Sequence, residues 1–307
     1  MVLAGLAGLF LLSLYIYDSM NPGFLDGLAP QLRAQVSTAE KAQGKTQVHI
    51  LDVGQGDCVL LCQNGSYAMI DAGTAEASNA ILWYLDTLGV KKLDYVFMTH
   101  PHADHIGGMR DVLEHYEIGK VILPDFSKGP EPTSKILEKV LLKMQEKEIA
   151  AETAQEGAVY PLGEGEITVL LAGIPSQEFN NISVATRFEA PGLCFLDTGD
   201  GETALEEELV QRYGLLGGLQ ADVMKAGHHG SATSNTAQLL AAVGPSVIVA
   251  SCGKDNSYGH PHKEFLERAG AVGAQVLRTD ENGSVALCTD GDGISVVVQQ
   301  GRQEEAA

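Results

Sequence analysis

Three histidines and one aspartate follow a hydrophobic strand pattern within six residues. The strand pattern is DYVFMT, residues 94–99, and the segment that follows it is HPHADH, residues 100–105. Imidazoles without ligands beside a buried strand would bring unpaired polar groups into a medium of low dielectric constant. Imidazole and carboxylate are ligands that Zn²⁺, Mn²⁺ and Fe accept. The pattern therefore predicts a metal centre after this strand, in a fold that brings further ligands to the same place.

The composition excludes several classes of protein. Hydrophobic residues make up 45% of the 307 residues and charged residues 20%, which excludes a disordered or collagen-like chain. Lys and Arg total 20 against 40 Asp and Glu, so the formal net charge is -20. Such a chain has no overall positive field that would attract duplex DNA. The five cysteines form no CxxC pair, so neither a disulfide framework nor a structural zinc knuckle is predicted.

The N-terminal part is predicted to be separate from the globular domain. Residues 1–17 contain no charged side chain and are predicted to form a single hydrophobic helix, slightly shorter than the ~20 residues that span a bilayer. A membrane anchor, a signal peptide without a basic segment, and the remnant of a longer membrane protein are three open interpretations. Tyr15 and Tyr17 favour the anchor or the remnant, because aromatic residues collect at membrane interfaces. The mixed polar residues 18–45 predict a linker, and residues 299–307 a polar tail.

From residue 46 onward, short β-rich runs alternate with amphipathic helical patterns. Two consecutive sets of strands, each with helices, predict two facing sheets with helices outside them, in a single domain over residues 46–298. The predicted strands cover residues 47–51, 58–61, 66–70, 94–99, 120–124, 166–171, 182–188, 193–197, 221–226, 246–250, 274–278, 284–289 and 294–298. The predicted helices cover residues 77–88, 132–148, 202–213, 234–242 and 261–269.

HxHxDH after a hydrophobic strand resembles the signature of the metallo-β-lactamase superfamily. Further motifs narrow the resemblance to the metallo-hydrolase domain of ComEC-type competence proteins, and they occur in the same order and spacing. These motifs are LDVGQGD (51–57), MIDAG (69–73), LDTGD (196–200), MKAGHHGS (224–231) and YGHP (258–261). The resemblance covers residues 47 to about 298 and implies an α/β (α+β) fold, the four-layer αββα sandwich, with metals at the shared edge of the two sheets.

The resemblance implies two divalent metal ions, Zn or Mn, and assigns their ligands by position. The implied ligands are His100, His102, Asp104, His105, Asp200 and His228. The first two would bind the first ion, Asp104 and His105 would bind the second, and Asp200 would bridge both. His229 is the alternative to His228, because a shift of one residue along an extended segment reverses which side chain faces inward.

Other residues receive catalytic or supporting roles from the same resemblance. Asp104 would also orient the attacking water, and Asp71 would orient a metal-binding histidine, with Asp57 in a similar role. His260 would donate a proton to a leaving group or hold a substrate phosphate, although a helix cap explains it equally well. The residues expected near the ligands or the substrate are Asn181, Ser183, Lys225, His229 and Ser231.

The chain departs from the superfamily at one ligand position. Many members supply a third histidine to the first ion between the HxHxDH motif and the bridging aspartate. Between His105 and Asp200 this chain has only His115, which is too early in the sequence, and residues 179–183 occupy the expected position. The first site is therefore predicted to bind metal more weakly, to be only partly filled, or to prefer Mn²⁺ over Zn²⁺.

The implied activity is metal-assisted hydrolysis, in which two ions lower the pKa of water from 15.7 toward ~7. The expected substrate is a phosphodiester, DNA taken up from outside the cytoplasm, with single strands favoured because the chain is acidic. Lys225, Lys254 and Arg278 would supply a local positive patch. One alternative is a phosphorylcholine esterase of cell-wall polymers. Another is a membrane-tethered metal-binding module of low turnover that serves a DNA-uptake machine. The domain is expected to be membrane-anchored or secreted, and the oligomeric state stays open.

Overall fold

A computed structural model of the chain describes residues 38–298, apart from the side chain of Leu216. The predicted N-terminal helix, residues 18–37 of the predicted linker and the polar tail lie outside the described residues. Residues 38–41 form a helical turn, and Thr38 and Ala39 are buried against the domain. Within the described range, no helix combines the length and the apolar character needed to cross a bilayer.

Two β-sheets form the centre of the described domain. The eight-stranded sheet has the order β15-β14-β1-β2-β3-β4-β5-β6, and the seven-stranded sheet has the order β13-β12-β11-β10-β9-β8-β7. The strands are β1 (Thr46–Ile50), β2 (Val59–Gln63), β3 (Ser66–Ile70), β4 (Lys92–Phe97), β5 (Glu117–Leu123), β6 (Ala151–Thr153), β7 (Val159–Leu162), β8 (Gly165–Ala172), β9 (Val184–Ala190), β10 (Leu193–Asp197), β11 (Val223–Lys225), β12 (Val247–Ala250), β13 (Gln275–Arg278), β14 (Val285–Thr289) and β15 (Ser295–Val298).

Helices cover the outer face of each sheet. The helices are α1 (Ser78–Thr87), α2 (Ala103–Ile106), α3 (Met109–His115), α4 (Lys135–Glu146), α5 (Thr203–Tyr213), α6 (Ala237–Val243), α7 (Lys263–Ala271) and α8 (Thr279–Asn282). Helices α1–α4 pack on the eight-stranded sheet and α5–α7 on the seven-stranded sheet. The four-layer αββα prediction is confirmed.

Three apolar cores hold the four layers together, one between the sheets and one under each helical layer. Strand β12 contributes side chains to two of these cores. Val247 and Val249 face the core between the sheets, whereas Ile248 and Ala250 face the core under α5–α7. Because successive side chains of a strand point to opposite faces, a strand buried on both faces is apolar throughout.

The predicted ranges omit two short strands, β6 and β7, and three short helices, α2, α3 and α8. Strands β6 and β7 are three and four residues long, too short to show a period. Strand β7 also contains Pro161, which lacks a backbone N–H and is tolerated because β7 lies at the edge of its sheet. Helix α3 was obscured by the Gly- and His-rich segment before it.

Parallel pairing brings chemically active residues from distant parts of the chain to one edge of the sandwich. Strands β3 and β4 are parallel neighbours, as are β10, β11 and β12 in the other sheet. The carboxyl ends of parallel neighbours lie at the same edge, where open α/β sheets bind ligands. Asp71 follows β3, the HxHxDH segment follows β4, Asp200 follows β10 and the two consecutive histidines follow β11.

Candidate metal centre

Four side chains converge beyond the ends of β4, β10 and β11. Asp200 Oδ2 lies 3.1 Å from His105 Nε2 and 3.5 Å from His229 Nε2. Asp104 Oδ2 lies 3.3 Å from the same nitrogen of His229 and 4.0 Å from that of His105. Within the described residues, both Nε2 atoms are buried without a hydrogen-bond partner. Buried polar atoms that converge while unpaired fit a cation, and we call these four residues the second subsite.

The Nδ1 atoms of His105 and His229, on the ring edges that face away from the subsite, are held by hydrogen bonds. Nδ1 of His105 lies 2.6 Å from Asp71 Oδ2, and the other oxygen of Asp71 accepts a hydrogen bond from Thr99 N at 2.9 Å. Nδ1 of His229 donates to the carbonyl oxygen of Ser251 at 3.0 Å. These contacts aim both Nε2 lone pairs at the subsite, as partners of metal-binding histidines do. Asp71 therefore lies where the sequence interpretation expected an orienting carboxylate.

Asp57 lies behind the second subsite. Its oxygens lie 3.2 Å from His229 Nδ1 and 3.9 Å from His105 Nδ1, which are the edges of the rings turned away from Asp200. Gly56 permits this approach, because a Cβ there would lie 2.4 Å from the carbonyl oxygen of Asp104. Asp57 is thus placed to support the imidazoles from the rear, although its oxygens are also within 4.8 Å of ligand atoms of the subsite.

Lys225 is the cation that compensates Asp57. Its Nζ donates to Asp57 Oδ2 at 2.5 Å and to the carbonyl oxygens of Gly199 and Ala226 at 3.2 Å. The lysine is only 1% exposed. The sequence interpretation that counted Lys225 in a local positive patch for the substrate is therefore wrong, because the ammonium group is enclosed between the sheets. Arg278, the second member of that patch, is paired with Asp280 and Glu281.

Two further imidazoles face Asp200 from the other side, and we call His100, His102 and Asp200 the first subsite. Nε2 of His100 lies 2.9 Å from Nδ1 of His102 and 3.8 Å from Asp200 Oδ2. One ligand atom from each of the three residues falls within a 4.8 Å group. Asp200 is therefore the residue common to both subsites, where a bridging ligand was predicted.

The first subsite is supported by hydroxyl groups. The Oγ of Ser183 accepts a hydrogen bond from Asp200 N at 3.2 Å and lies 3.4 Å from His100 Nδ1. Asn181 Oδ1 accepts a hydrogen bond from Glu202 N at 3.0 Å, so this amide organises the turn that precedes α5. Residues 179–183, where a third histidine was expected, thus help to position Asp200 and His100.

The consecutive histidines take different positions. Their backbone is in the left-handed region, with φ of 49° at His228 and 56° at His229, whereas the sequence interpretation assumed an extended segment. His229 is 2% exposed and belongs to the second subsite. The side chain of His228 is 23% exposed, and its Nε2 lies 3.9 Å from Asp200 Oδ2 and its Nδ1 3.7 Å from Glu202. The structure thus places His229 among the converging donors and His228 at their rim.

The buried carboxylates govern the charge of the second subsite. Burial lowers the pKa of His105 and of His229, but Asp200 and other nearby carboxylates outweigh it and raise both pKa values well above the ordinary value. In turn these imidazoles hold the pKa of Asp200 well below its usual range, and the pKa of Asp104 is lowered to about 2, although burial raises both. Without a cation, protonated imidazoles balance the acids. A divalent cation replaces that positive charge, so the donor set fits a metal ion at the second subsite, and the neutral imidazoles of His100 and His102 leave nitrogen lone pairs available at the first.

His260 is held beside the second subsite in a defined tautomer. Gln55 Oε1 accepts a hydrogen bond from Gly253 N at 3.1 Å, so the amide nitrogen of Gln55 faces His260 Nδ1 at 3.2 Å and donates to it. The proton of the neutral ring therefore lies on Nε2. Burial, followed by the charges of His229 and His228, lowers the pKa of His260 to about 4. This neutral imidazole presents an N–H donor near the metal centre, and its side chain does not cap α7, which begins at Lys263.

The structure also places Ser231 and several residues that sequence reasoning missed. Ser231 Oγ accepts a hydrogen bond from Thr233 N at 3.2 Å, so this hydroxyl stabilises a turn. Asn235 holds the loop of the two histidines through Gly227, and Glu206 binds the backbone of Asn235 and Thr236 from α5. Among the missed residues, Gln55 lies within the LDVGQGD motif and Thr99 directly precedes the HxHxDH motif, which is the signal that would have identified them. Glu206 resembles any polar helix residue.

Comparison with known proteins identifies the family to which the chain is similar. Residues 51–253 match the family model of the Metallo-beta-lactamase superfamily. The chain is 30% identical over 260 residues to "ComE operon protein 3" of Bacillus subtilis and 32% identical over 249 residues to "Competence protein ComA" of Neisseria gonorrhoeae. These matches cover 78% and 79% of this chain, and 32% of each relative. The chain therefore spans about a third of the length of the competence proteins that it matches.

A solved structure shows the same fold. The metallo-beta-lactamase fold protein YhfI from Bacillus subtilis superposes with a TM-score of 0.52 at 12% identity, over 79% of this chain and 100% of that one. The resemblance predicted from the motifs is thus confirmed by sequence and by architecture. With the αββα sandwich, the donor cluster at its edge and a family model that spans two thirds of the sequence, the chain belongs to the metallo-β-lactamase superfamily.

Proposed function

We propose that this domain is a binuclear phosphodiesterase that degrades DNA outside the cytoplasm during competence-type uptake. The observation that carries the proposal is the position of Asp200, whose Oδ2 lies within 3.8 Å of imidazole nitrogens from both subsites. Adjacent cations suit phosphodiester cleavage, because charge develops on both the attacking and the leaving oxygen. The names of the two competence relatives support DNA as the substrate.

The metal ions and the protein residues have separate tasks in this proposal. Divalent cations at the two subsites would supply Lewis acidity, which makes water nucleophilic near neutral pH and offsets phosphodiester charge. Asp104 is a carboxylate at neutral pH and its side chain is 33% exposed, so it accepts a hydrogen bond from the attacking water and orients it. His260 holds a proton on Nε2 and donates a hydrogen bond to the leaving oxygen.

The electrostatics favour single strands over duplex DNA. The formal net charge is -20, and the patch expected around Lys225 and Arg278 does not form. Duplex binding draws most of its free energy from cationic side chains that neutralise phosphates. A single strand depends less on such contacts, because counterion release is smaller and its unpaired bases can stack on aromatic side chains.

The location is part of the same proposal. Residues 1–17 would anchor the domain, or connect it to a membrane channel, on the outer side of the cytoplasmic membrane, beside a DNA-uptake machine. The support is the uncharged sequence of this segment together with the competence relatives, which are about three times longer than the matched region.

The test uses the full chain in detergent. We expect Mn²⁺ or Zn²⁺ to bind with two ions per chain and single-stranded DNA to be cut, with RNA, duplex DNA and a phosphorylcholine ester cut more slowly. Asp104→Ala should abolish turnover while the thermal unfolding transition is retained. Asp111→Ala on α3 is a matched control, since this half-buried acid lies outside both subsites. Preferential hydrolysis of the phosphorylcholine ester, or no hydrolysis although two ions are bound, would contradict the proposal.

A further inference from the structure

An exposed aromatic ring lies next to the metal centre. Tyr258 is 66% exposed, and its ring stacks on His260 with centroids 5.6 Å apart and planes 18° apart. The ring centroid of His260 in turn lies 5.5 Å from that of His228 and 5.9 Å from that of His229. Only one imidazole therefore separates the tyrosine ring from the second subsite. An aromatic face left open to solvent beside a reaction centre is available for a planar group of the substrate.

The segment that carries Tyr258 is tied down on both sides. Asn256 Nδ2 donates to the carbonyl oxygens of Gly253 and His260, and Asn256 Oδ1 accepts from His260 N at 3.0 Å. His262 Nδ1 accepts from Ala232 N at 2.9 Å, so its Nε2 carries the proton and donates to Tyr258 O at 3.1 Å. Little conformational freedom remains to be lost when a ligand stacks on a ring whose backbone is held in this way.

Charge supplies little of the affinity that a nucleic acid would need on this face. Lys225 is buried against Asp57, and Arg278 is paired with two acids, which leaves Lys254 as the exposed cation of the predicted patch. Base stacking on aromatic side chains is the other common source of affinity for single strands, and it tolerates any base. Such stacking requires an unpaired base, which duplex DNA does not offer.

We propose that Tyr258 is a stacking platform for the base of a single-stranded nucleotide whose phosphodiester lies at the metal centre. The inference rests on the proposed phosphodiesterase function and adds the origin of its preference for single strands. His260 supports the platform from below, and the substrate base covers the exposed upper face. Tyr258 is therefore a residue that binds substrate and determines specificity, and it takes no part in proton transfer.

The experiment is a double-mutant cycle between the protein and the substrate. The metal-loaded full chain and its Tyr258→Ala, Tyr258→Leu and Tyr258→Phe variants are assayed on a short oligothymidylate and on an oligomer of the same length built from abasic units. We expect Tyr258→Ala to raise KM for the oligothymidylate about fivefold or more, since stacking is worth roughly that factor per base. Tyr258→Leu should behave like Tyr258→Ala, and Tyr258→Phe like the unmodified chain. Trp83→Ala, which removes another exposed aromatic ring on α1, should change neither KM nor kcat.

The abasic oligomer separates stacking from damage to the centre. The platform predicts that Tyr258→Ala has no effect on this substrate, because no base is present to stack. An equal loss on both substrates, or no loss on the oligothymidylate, would overturn the inference while leaving the phosphodiesterase proposal intact. Failure of the unmodified, metal-loaded chain to cut either oligomer would instead remove the proposed function and the platform with it.

Discussion

The two subsites share Asp200 but differ in how they are built. The second subsite surrounds its centre with donors from four residues, and its imidazoles are backed by Asp71 and Asp57. The first subsite has two imidazoles and the shared carboxylate, and the hydroxyls of Thr99 and Ser183 lie behind His100. A carboxylate behind a histidine fixes the ring and increases its basicity more than a neutral hydroxyl does. Two subsites that share a ligand can therefore differ in metal affinity, and we expect the second subsite to bind metal more tightly.

The largest expected effect comes from the residue that the two subsites share. Asp200→Asn should lower kcat/KM on the order of 10⁴-fold, since each ion contributes several kcal/mol and tenfold corresponds to about 1.36 kcal/mol. Both ions should be lost from the purified protein. The measurement is steady-state kinetics with metal analysis of the same sample. Retention of one tightly bound ion would show that the second subsite does not depend on the bridge.

The buried ion pair behind the second subsite tests its support. Lys225→Met should lower the free energy of unfolding by about 3–5 kcal/mol, because the buried carboxylate of Asp57 loses its ammonium partner. Denaturant titration measures this change. Lys254→Met, at an exposed position, is the control. Adding Asp57→Asn to Lys225→Met should restore part of the stability, and a purely additive double variant would show that the pair is not coupled.

Replacement of each of the two consecutive histidines by alanine decides which of them belongs to the second subsite. His229→Ala should weaken metal binding there by more than about 100-fold, since even an outer partner contributes 10–100-fold. His228→Ala should leave the affinity within about tenfold of the unmodified value, because its side chain lies at the rim. Competition against a fluorescent chelator measures both. The reverse order would assign His228 as the ligand.

The supports behind the imidazoles can be compared directly. Asp71→Asn should weaken binding at the second subsite by about 10–100-fold, whereas Ser183→Ala should change the first subsite by less than about tenfold. Isothermal titration with Mn²⁺ resolves the two steps. Equal losses in the two variants would mean that carboxylate and hydroxyl supports are equivalent here.

The smallest expected effect is the number of protons released when metal binds at each subsite. The pKa values of His105 and His229 are raised in the metal-free protein, so their ion pairs stabilise it fully below the unfolded value of about 6.5, and this contribution is lost as pH rises through the folded values. Metal must displace these protons, so affinity at the second subsite should rise with pH through the neutral range. Burial lowers the pKa of His100 and His102, and binding at the first subsite should release no protons near neutral pH. Calorimetry in buffers of different ionisation enthalpy measures the difference, and equal proton release by the two steps would contradict it.

Local sequence patterns predicted most of the strands and helices and the HxHxDH segment of the metal centre. Most strands and helices were found within a few residues of their ends, because a half-buried helix and a buried strand impose periods that a single segment already shows. The short edge strand β7 was missed because Pro161 and a length of four residues leave no period to detect. In the centre, the HxHxDH segment was accessible for the same local reason, since its donors lie within six residues of one strand.

The sequence by itself determined which donor types are present, their order along the chain and the alternation of strands and helices that brings them to one edge. Only the tertiary structure decided that His229 faces Asp200, that Lys225 is enclosed beside Asp57, and that Gln55 sets the tautomer of His260. Residue type and period are properties of a segment, whereas these contacts join residues as far apart as 205 positions. Such contacts follow from left-handed turns and from the packing of the two sheets against each other, which no local pattern encodes.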